Sequence, residues 1–369
     1  MDLIISGGGP AGLATAIRAA ELGLSAIVLE RRSLPLDKAC GEGLMPTGVA
    51  ALASLGVSLD THQRHAFLGI RMLDGETIAE ARFGIGPGFG IRRTVLIAAM
   101  VDRARALGVD LRYGCSLASF TASRDRVQVE TGGQGTLEAR YLIGADGLHS
   151  QIRAACALGR ASSSPRRYGV RRHYSMGPWS PFVEIHWADH SEAYVTPVSA
   201  DTVGVAILWP GGGNFASQLG AFPALEARLA GHVPASESRG AGPFRQQVAR
   251  RTRGPIALVG DAAGYVDALT GEGVSLSLIT GARLAEIIHA SAPLSEYERE
   301  YRRLTASYYR TTELFVRATR KPVLRRRLLR TLASNPELFE RFLAINMGLL
   351  PLRSLGLGGA WALVDGLLH

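Results

Sequence analysis

The stretch "DLIISGGGPAGLATAIRAAELGLSAIVLE", from Asp2 to Glu30, restricts the fold more than any other part of the chain. An apolar run, Leu3 to Ser6, enters a glycine turn. A helix rich in alanine and leucine follows to Glu21, with Gly23 as its stop, and a second apolar run, Ala26 to Leu29, ends in Glu30. Such short, unalternating runs suit strands buried on both faces of a parallel sheet. The glycines Gly7, Gly9 and Gly12 keep the spacing G-x-G-x-x-G. Gly7 permits the tight turn, Gly9 lets the backbone approach a pyrophosphate, and Gly12 lets helix and strand pack closely. Glu30 stands where a ribose hydroxyl would donate to it. Strand, turn, helix and acid together predict a Rossmann dinucleotide unit opening an α/β chain. The motif alone does not separate FAD from NAD.

Further along, "FGIRRTVLIAAMVDRARALGVDLRYGCSL" predicts a helix from about Thr94 to Ala106 with Arg93 at its start, then Gly108 and a strand. "ARYLIGADGLHSQIR" gives a strand at Tyr141 to Ile143 and a tight turn, Gly144 to Gly147, that carries Asp146. From Tyr168 to Trp209 the runs are short, β-branched and aromatic. Val203, Val205, Ile207 and Trp209 share one face at period two, which predicts a small antiparallel sheet inserted into the first domain. "GPIALVGDAAGYVDALTGEGVSLSLITGARLAEIIHA" returns to the doubly wound pattern with a buried strand at Ile256 to Val259. The nucleotide domain is therefore discontinuous. Its expected segments are 1–65, 91–160 and 251–310; residues 66–90 and 161–250 form the substrate domain, and 311–369 a helical C-terminal region. With 369 residues, 47% of them hydrophobic, the chain is long enough for two joined cores.

Three motifs stand in one order: G-x-G-x-x-G at the N-terminus, G-A-D-G at 144–147 and G-D-A-A at 260–263. This set resembles the FAD-dependent superfamily of aromatic hydroxylases and geranylgeranyl-type reductases, with an FAD domain of the glutathione-reductase type. The resemblance covers roughly residues 1 to 310. It implies that Glu30 holds the adenosine ribose, that Arg93 reaches the diphosphate, and that Asp261, after Gly260, holds the ribityl chain. Asp146 is linked in that family to both FAD and the nicotinamide donor. Gly271 and Gly273 would let the backbone pass close to the flavin ring. The helix from about Val274 would aim its N-terminus at the ring, where negative charge gathers on reduction. "KACGEGLMP" resembles the loop beside the isoalloxazine, with Lys38 near a phosphate and Cys40 and Gly41 near the ring.

No second G-x-G-x-x-G has its own strand and helix, so NAD(P)H is expected to bind only transiently as electron donor. "GDAAGYVDALTGEG" leans towards the reductase branch, whereas the reductases' aromatic motif is reduced to Glu192–Pro197. The favoured expectation is a monooxygenase acting through a flavin hydroperoxide, with molecular oxygen and an apolar or phenolic substrate, for example a secondary metabolite. Reduction of isoprenoid double bonds is the alternative, and a non-catalytic FAD-binding redox sensor is a third. A phenol must lose a proton, and His173, His186 and Tyr194 are the candidate catalytic residues on the substrate sheet. Three cysteines without metal-type spacing (Cys40, Cys115, Cys156) predict a reduced, cytoplasmic setting and no metal site. No signal segment and no membrane span are read from the sequence. The net charge of +9 gathers late, between Arg310 and Arg330, without the aromatic interleaving of a nucleic-acid site. This basic segment and Leu349, Leu350, Leu352, Leu355 and Leu357 allow two readings. The tail lies on the inner face of a membrane, or its leucines cap the substrate domain while the arginines face water.

Overall fold

The computed structural model describes residues 1–133, 135–161 and 166–356; Leu357 and the residues after it lie outside that range. In chain order come β1 (Leu3–Ser6), α1 (Pro10–Glu21), β2 (Ala26–Glu30), the hairpin β3 (Gly69–Asp74) and β4 (Thr77–Arg82), α2 (Arg93–Ala106), β5 (Asp110–Tyr113), β6 (Tyr141–Gly144) and α3 (Gln151–Ala155). Next come β7 (Tyr168–Ser175), β8 (Val183–Trp187), β9 (Glu192–Pro197), β10 (Thr202–Trp209), β11 (Arg239–Ala241) and β12 (Ile256–Leu258). The C-terminal part holds α4 (Gly273–His289), α5 (Leu294–Thr319), α6 (Pro322–Ser334) and α7 (Pro336–Asn346).

A six-stranded sheet runs Thr252–Arg253, β12, β6, β1, β2, β5, parallel except at the Thr252–Arg253 edge. All four residues of β1 are buried, as central parallel strands covered on both faces require. Helix α1 starts with Pro10 at its first position, where the missing N–H has no partner to lose, and packs against α4. Strand ends converge at Ser6, Glu30, Gly144 and Leu258. Ligands collect at the carboxyl ends of such strands.

A seven-stranded sheet runs β11, β7, β10, β9, β8, β3, β4. It departs from the expected antiparallel sheet at one pairing, because β8 runs parallel to β3, with Val183 opposite Ile70. The partner strand comes more than a hundred residues earlier, so no hairpin dictates the direction. On β10 the period-two face of Val203, Val205, Ile207 and Trp209 packs against Phe215, Phe222 and Leu225. The opposite face, Ala206 and Leu208, joins a second core with Val183, Ile185, Tyr194, Phe315 and Leu329.

The C-terminal helices are part of this second core. Helix α5 runs unbroken through residues 310 and 311, so the expected domain boundary there falls inside a helix. Arg325, read as one of a solvated or lipid-facing basic run, is instead almost fully buried; it pairs with Asp74 at 2.8 Å and donates to the carbonyl of Ala188. The aliphatic demand of the core at Leu328, Leu329 and Leu332 turns that face of α6 inward, and Asp74 supplies the countercharge. Among the described residues, no helix is long and apolar enough to cross a membrane.

Candidate active site

A cavity of about 950 Å³ opens between the strand ends of the six-stranded sheet and the inner face of the seven-stranded one. Its polar end is lined by Gly7, Gly9, Glu30, Lys38, Cys40, Gly41, Arg93, Asp146 and Asp261, and its wall continues through Gly271 and Gly273. The glycine turn is fixed by sterics and by Glu30. Gly7 has φ +115°, and a Cβ there would sit 2.3 Å from the carbonyl oxygen of Ala145. A Cβ on Gly12 would meet the oxygen of Gly7 at 2.0 Å. The Glu30 carboxylate accepts from the backbone N–H of Gly8 at 2.8 Å and of Arg32 at 3.0 Å, which holds the turn against β2. Gly9 is different: its only neighbour within 4 Å of an added Cβ is a guanidinium nitrogen of Arg93, at 3.8 Å.

Asp146 follows β6 and caps α3, accepting from the N–H groups of Gln151 (2.8 Å) and Ile152 (3.3 Å) with one oxygen. Its other oxygen is buried without a partner. Asp261 lies in the turn after β12 and pairs with Lys38 at 3.2 Å. Gly260, before it, has φ +62°, and a Cβ there would press on Ala11 at 2.7 Å. Gly271 has φ +71°, whereas Gly273 opens α4 because a Cβ would crowd the Tyr265 ring at 3.2 Å.

The loop 37–42 is held from behind by a buried network that the sequence did not reveal. Arg171 on β7 is 1% exposed and donates to Asp37 and to the carbonyl of Lys38, with its Nη1 3.2 Å from Nδ1 of His173. Glu42 meets Nε2 of His173 and accepts from the backbone N–H of Arg93 at 2.8 Å. Its residue sits at φ +60°, and Cys40 Sγ accepts from its N–H at 3.3 Å. These bonds position Lys38, Cys40 and Gly41 along the cavity.

Of the three side chains offered by the sequence as candidate catalytic residues, the structure brings only Tyr194 to the cavity. His173 is fully buried in this network and does not line the cavity. His186 alternates with Val183 and Ile185, and those two face the cavity; His186 lies on the other side of the sheet beside Glu184, at 3.2 Å. Burial works against the charge of Glu184, yet bonds from His186, Trp179 and Arg71 hold it lowered to about 2. Tyr194 does line the cavity, but its hydroxyl donates to the carbonyl of Leu269 at 3.1 Å, and burial pushes the phenol far up.

The apolar end was not legible beforehand. Ile70, Met72 and Phe83 come from the β3–β4 hairpin and its edge, Val183, Ile185, Ala206 and Leu208 from the sheet, and Phe315, Leu343 and Met347 from α5 and α7. Asn346 faces it too and donates to Thr311 at 2.7 Å. The loop between Tyr265 and Gly271 is locked by ion pairs. Arg167 meets Glu192 and, at 3.1 Å, Asp267, all three buried. Two carboxyls share one guanidinium, so burial pushes Glu192 up to about 7 and raises Asp267 as well. Glu272, between two glycines at the start of α4, is 3% exposed and lines the cavity; burial pushes it up to about 8.

A glycine turn at parallel strand ends, a charged end and a long apolar end define a class of flavin-binding enzymes. Residues 1–178 match the model of the FAD binding domain family. The menaquinone reductase of Mycolicibacterium smegmatis is 30% identical over 344 residues, which span 84% of this chain and 81% of that protein. The dialkyldecalin synthase of Streptomyces rugosporus is 29% identical over 328 residues, 81% of this chain and 68% of that one. Among solved structures, a flavoprotein/dehydrogenase from Cytophaga hutchinsonii superposes with a TM-score of 0.82 at 18% identity, covering 98% of this chain and 95% of the other. The chain belongs to the FAD-dependent superfamily of aromatic hydroxylases and geranylgeranyl-type reductases, and it is an FAD-dependent oxidoreductase. The site fits that cofactor on its own terms: Asp146 lines the cavity with Gly9 and Gly41, where an added Cβ would meet only Arg93 at 3.8 Å and nothing within 4 Å respectively, so the backbone lies open to a bound group.

Proposed function

We propose that the protein adds two hydrogens across a carbon–carbon double bond of a long apolar substrate of isoprenoid type. What supports this reading is the lining of the apolar end. Among the described residues, the titratable side chains that wall it are Tyr194, Tyr265 and the buried Glu272, and burial favours the protonated form of each. A phenol hydroxylase needs a group that draws a proton from its substrate, whereas reduction needs one that supplies it. FAD bound at the charged end supplies a hydride once it has been reduced, and we assign that reduction to NAD(P)H bound transiently. Gly7, Gly9 and Arg93 would hold the diphosphate, Glu30 the adenosine ribose, and Asp261 with Lys38 the ribityl region. Loop 37–42, braced by Arg171 and Glu42, would lie along the ring.

Oxygen transfer is the second reading. The apolar wall of Phe315, Leu343 and Met347 is compatible with it, since apolar lining helps to keep water from an oxygen-transfer reaction. Exposed Leu314, Leu349 and Leu350 border the same helices beside Arg310 and Arg317, which suits collection of a greasy substrate from an acidic lipid surface. Products from polyprenyl alcohols and long-chain phenols, formed with NADPH under labelled oxygen gas, test the choice. Reduction predicts a gain of two hydrogens and no label; labelled oxygen in the product selects the second reading.

A further inference from the structure

Helix α4 lines the cavity with its first turn, and Gly271-Glu272-Gly273 lead into it, with Glu272 at the N-cap and Gly273 as the first helical residue. A helix start with two glycines needs no carboxyl for capping, and the Glu272 side chain makes no cap bond. The chain nevertheless buries it on the cavity wall, 3% exposed. An ionised carboxylate so placed would need a cation or several donors. No arginine, lysine or histidine pairs with it among the described residues. Its polar neighbour is the Ser275 hydroxyl, one turn along the same helix, which only moderates the upward push of burial.

The elements around it bring no compensating charge. On the preceding loop, Tyr265 lies against Gly273, and burial keeps its phenol neutral. Met45 lies against Gly271, and the helix it precedes, Pro46–Ser54, carries no ionisable side chain. Helix α5 faces α4 here with Tyr301, Tyr308 and Tyr309, all pushed up by burial. The ionised pair on this wall, Lys38 and Asp261, is matched within itself.

We propose that Glu272, buried and without a salt-bridge partner at the N-terminus of α4, is the proton donor of this cavity. The inference rests on the double-bond reading above. In that reaction the carboxyl O–H bond breaks and its proton forms a C–H bond at one carbon of the double bond. The π pair is consumed, and a hydride from reduced FAD forms the C–H bond at the other carbon. FAD is left oxidised and Glu272 ionised. The carboxylate then sits at the positive end of a 17-residue helix, which favours the charge until a solvent proton replaces the one lost.

Two measurements on Glu272→Gln, an isostere that needs no ionised partner, test the assignment. The first is an infrared pH titration of the purified protein, reading the carbonyl band of protonated carboxyls. The wild-type minus variant difference should show one such band at pH 7, lost with a midpoint near 8. A flat difference spectrum would overturn the proposal whatever the activity. The second is an anaerobic single turnover of reduced holoprotein with a polyprenyl alcohol, which offers only double bonds as electron acceptors, followed by flavin absorbance. Glu272→Gln should reoxidise roughly 100-fold or more slowly than wild type, the usual range for losing a general acid, with unchanged FAD affinity. Equal rates overturn the role of Glu272 alone. Failure of the wild type itself to reoxidise overturns the double-bond reading, and the proton-donor assignment with it.

Discussion

The glycine turn separates folding from cofactor binding, and Gly9→Val against Gly12→Ala makes the separation measurable. Gly9 has φ −78° and ψ −180°, extended backbone open to a β-branched residue, and no heavy atom lies nearer than 3.8 Å to its added Cβ. The valine Cβ therefore meets only the flexible end of Arg93, at ordinary contact distance, and the melting of cofactor-free protein should stay within about 0.5 kcal/mol of wild type. The methyl groups instead point towards Arg93, into the space that we propose for the diphosphate. Losing two backbone N–H bonds to a charged oxygen, at roughly 1.5–3 kcal/mol each, weakens FAD binding about 10²–10⁴-fold. At Gly12 the added Cβ strikes the backbone oxygen of Gly7 at 2.0 Å, and that oxygen cannot swing away. Overpacking there costs about 1–3 kcal/mol or more, so the cofactor-free protein should melt several degrees lower. Fluorescence titration with FAD, paired with melts of FAD-free protein, reads both quantities. A Gly9→Val protein with wild-type affinity, or one destabilised as much as Gly12→Ala, would refute the reasoning.

Three further outcomes are expected. Arg325→Met strands Asp74 in the core, and breaking a buried pair should lower unfolding stability in urea by about 3–5 kcal/mol; the double variant with Asp74→Leu should recover much of it. Tyr194→Phe deletes a bond to the Leu269 carbonyl, so stability should fall by about 1 kcal/mol while kcat should change only a few-fold, because the hydroxyl is engaged in that bond. Glu184 has a folded pKa below its unfolded one. Its contribution is present above about pH 4.5 and lost as the pH falls towards 2, so the stability gap between wild type and Glu184→Gln should close across that window in urea melts.

What was legible followed from local sterics and period. The run from Asp2 to Glu30 specified strand, turn, helix and strand because each glycine answers a short-range clash. Val203, Val205, Ile207 and Trp209 share a face because a strand alternates whatever its neighbours are. The parallel pairing of β8 with β3 was illegible, since nothing in either strand names a partner so distant in the chain. The wall formed by Phe315, Leu343 and Met347 was missed because helix periodicity reports that a face is buried and not against what. Arg325 looked like one of a solvated basic run until Asp74 appeared opposite it. His173 and His186 drew notice by residue type alone, and their strand parity sends one into a buried network and the other to the far face. Glu272 did carry a signal, a carboxylate between two glycines at the start of an apolar helix, but the glycines masked it.

The central claim is that this cavity brings FAD and an apolar double bond together for hydride addition, and anaerobic reoxidation tests it most directly. Holoprotein reduced with a stoichiometric amount of NADPH in the absence of oxygen is mixed with a polyprenyl alcohol, which has no quinone ring to take the electrons, while the flavin absorbance is recorded. The account predicts that the oxidised spectrum returns without oxygen and that the product carries two more hydrogens. A flavin that stays reduced until oxygen is admitted, with oxygen then found in the product, would contradict it.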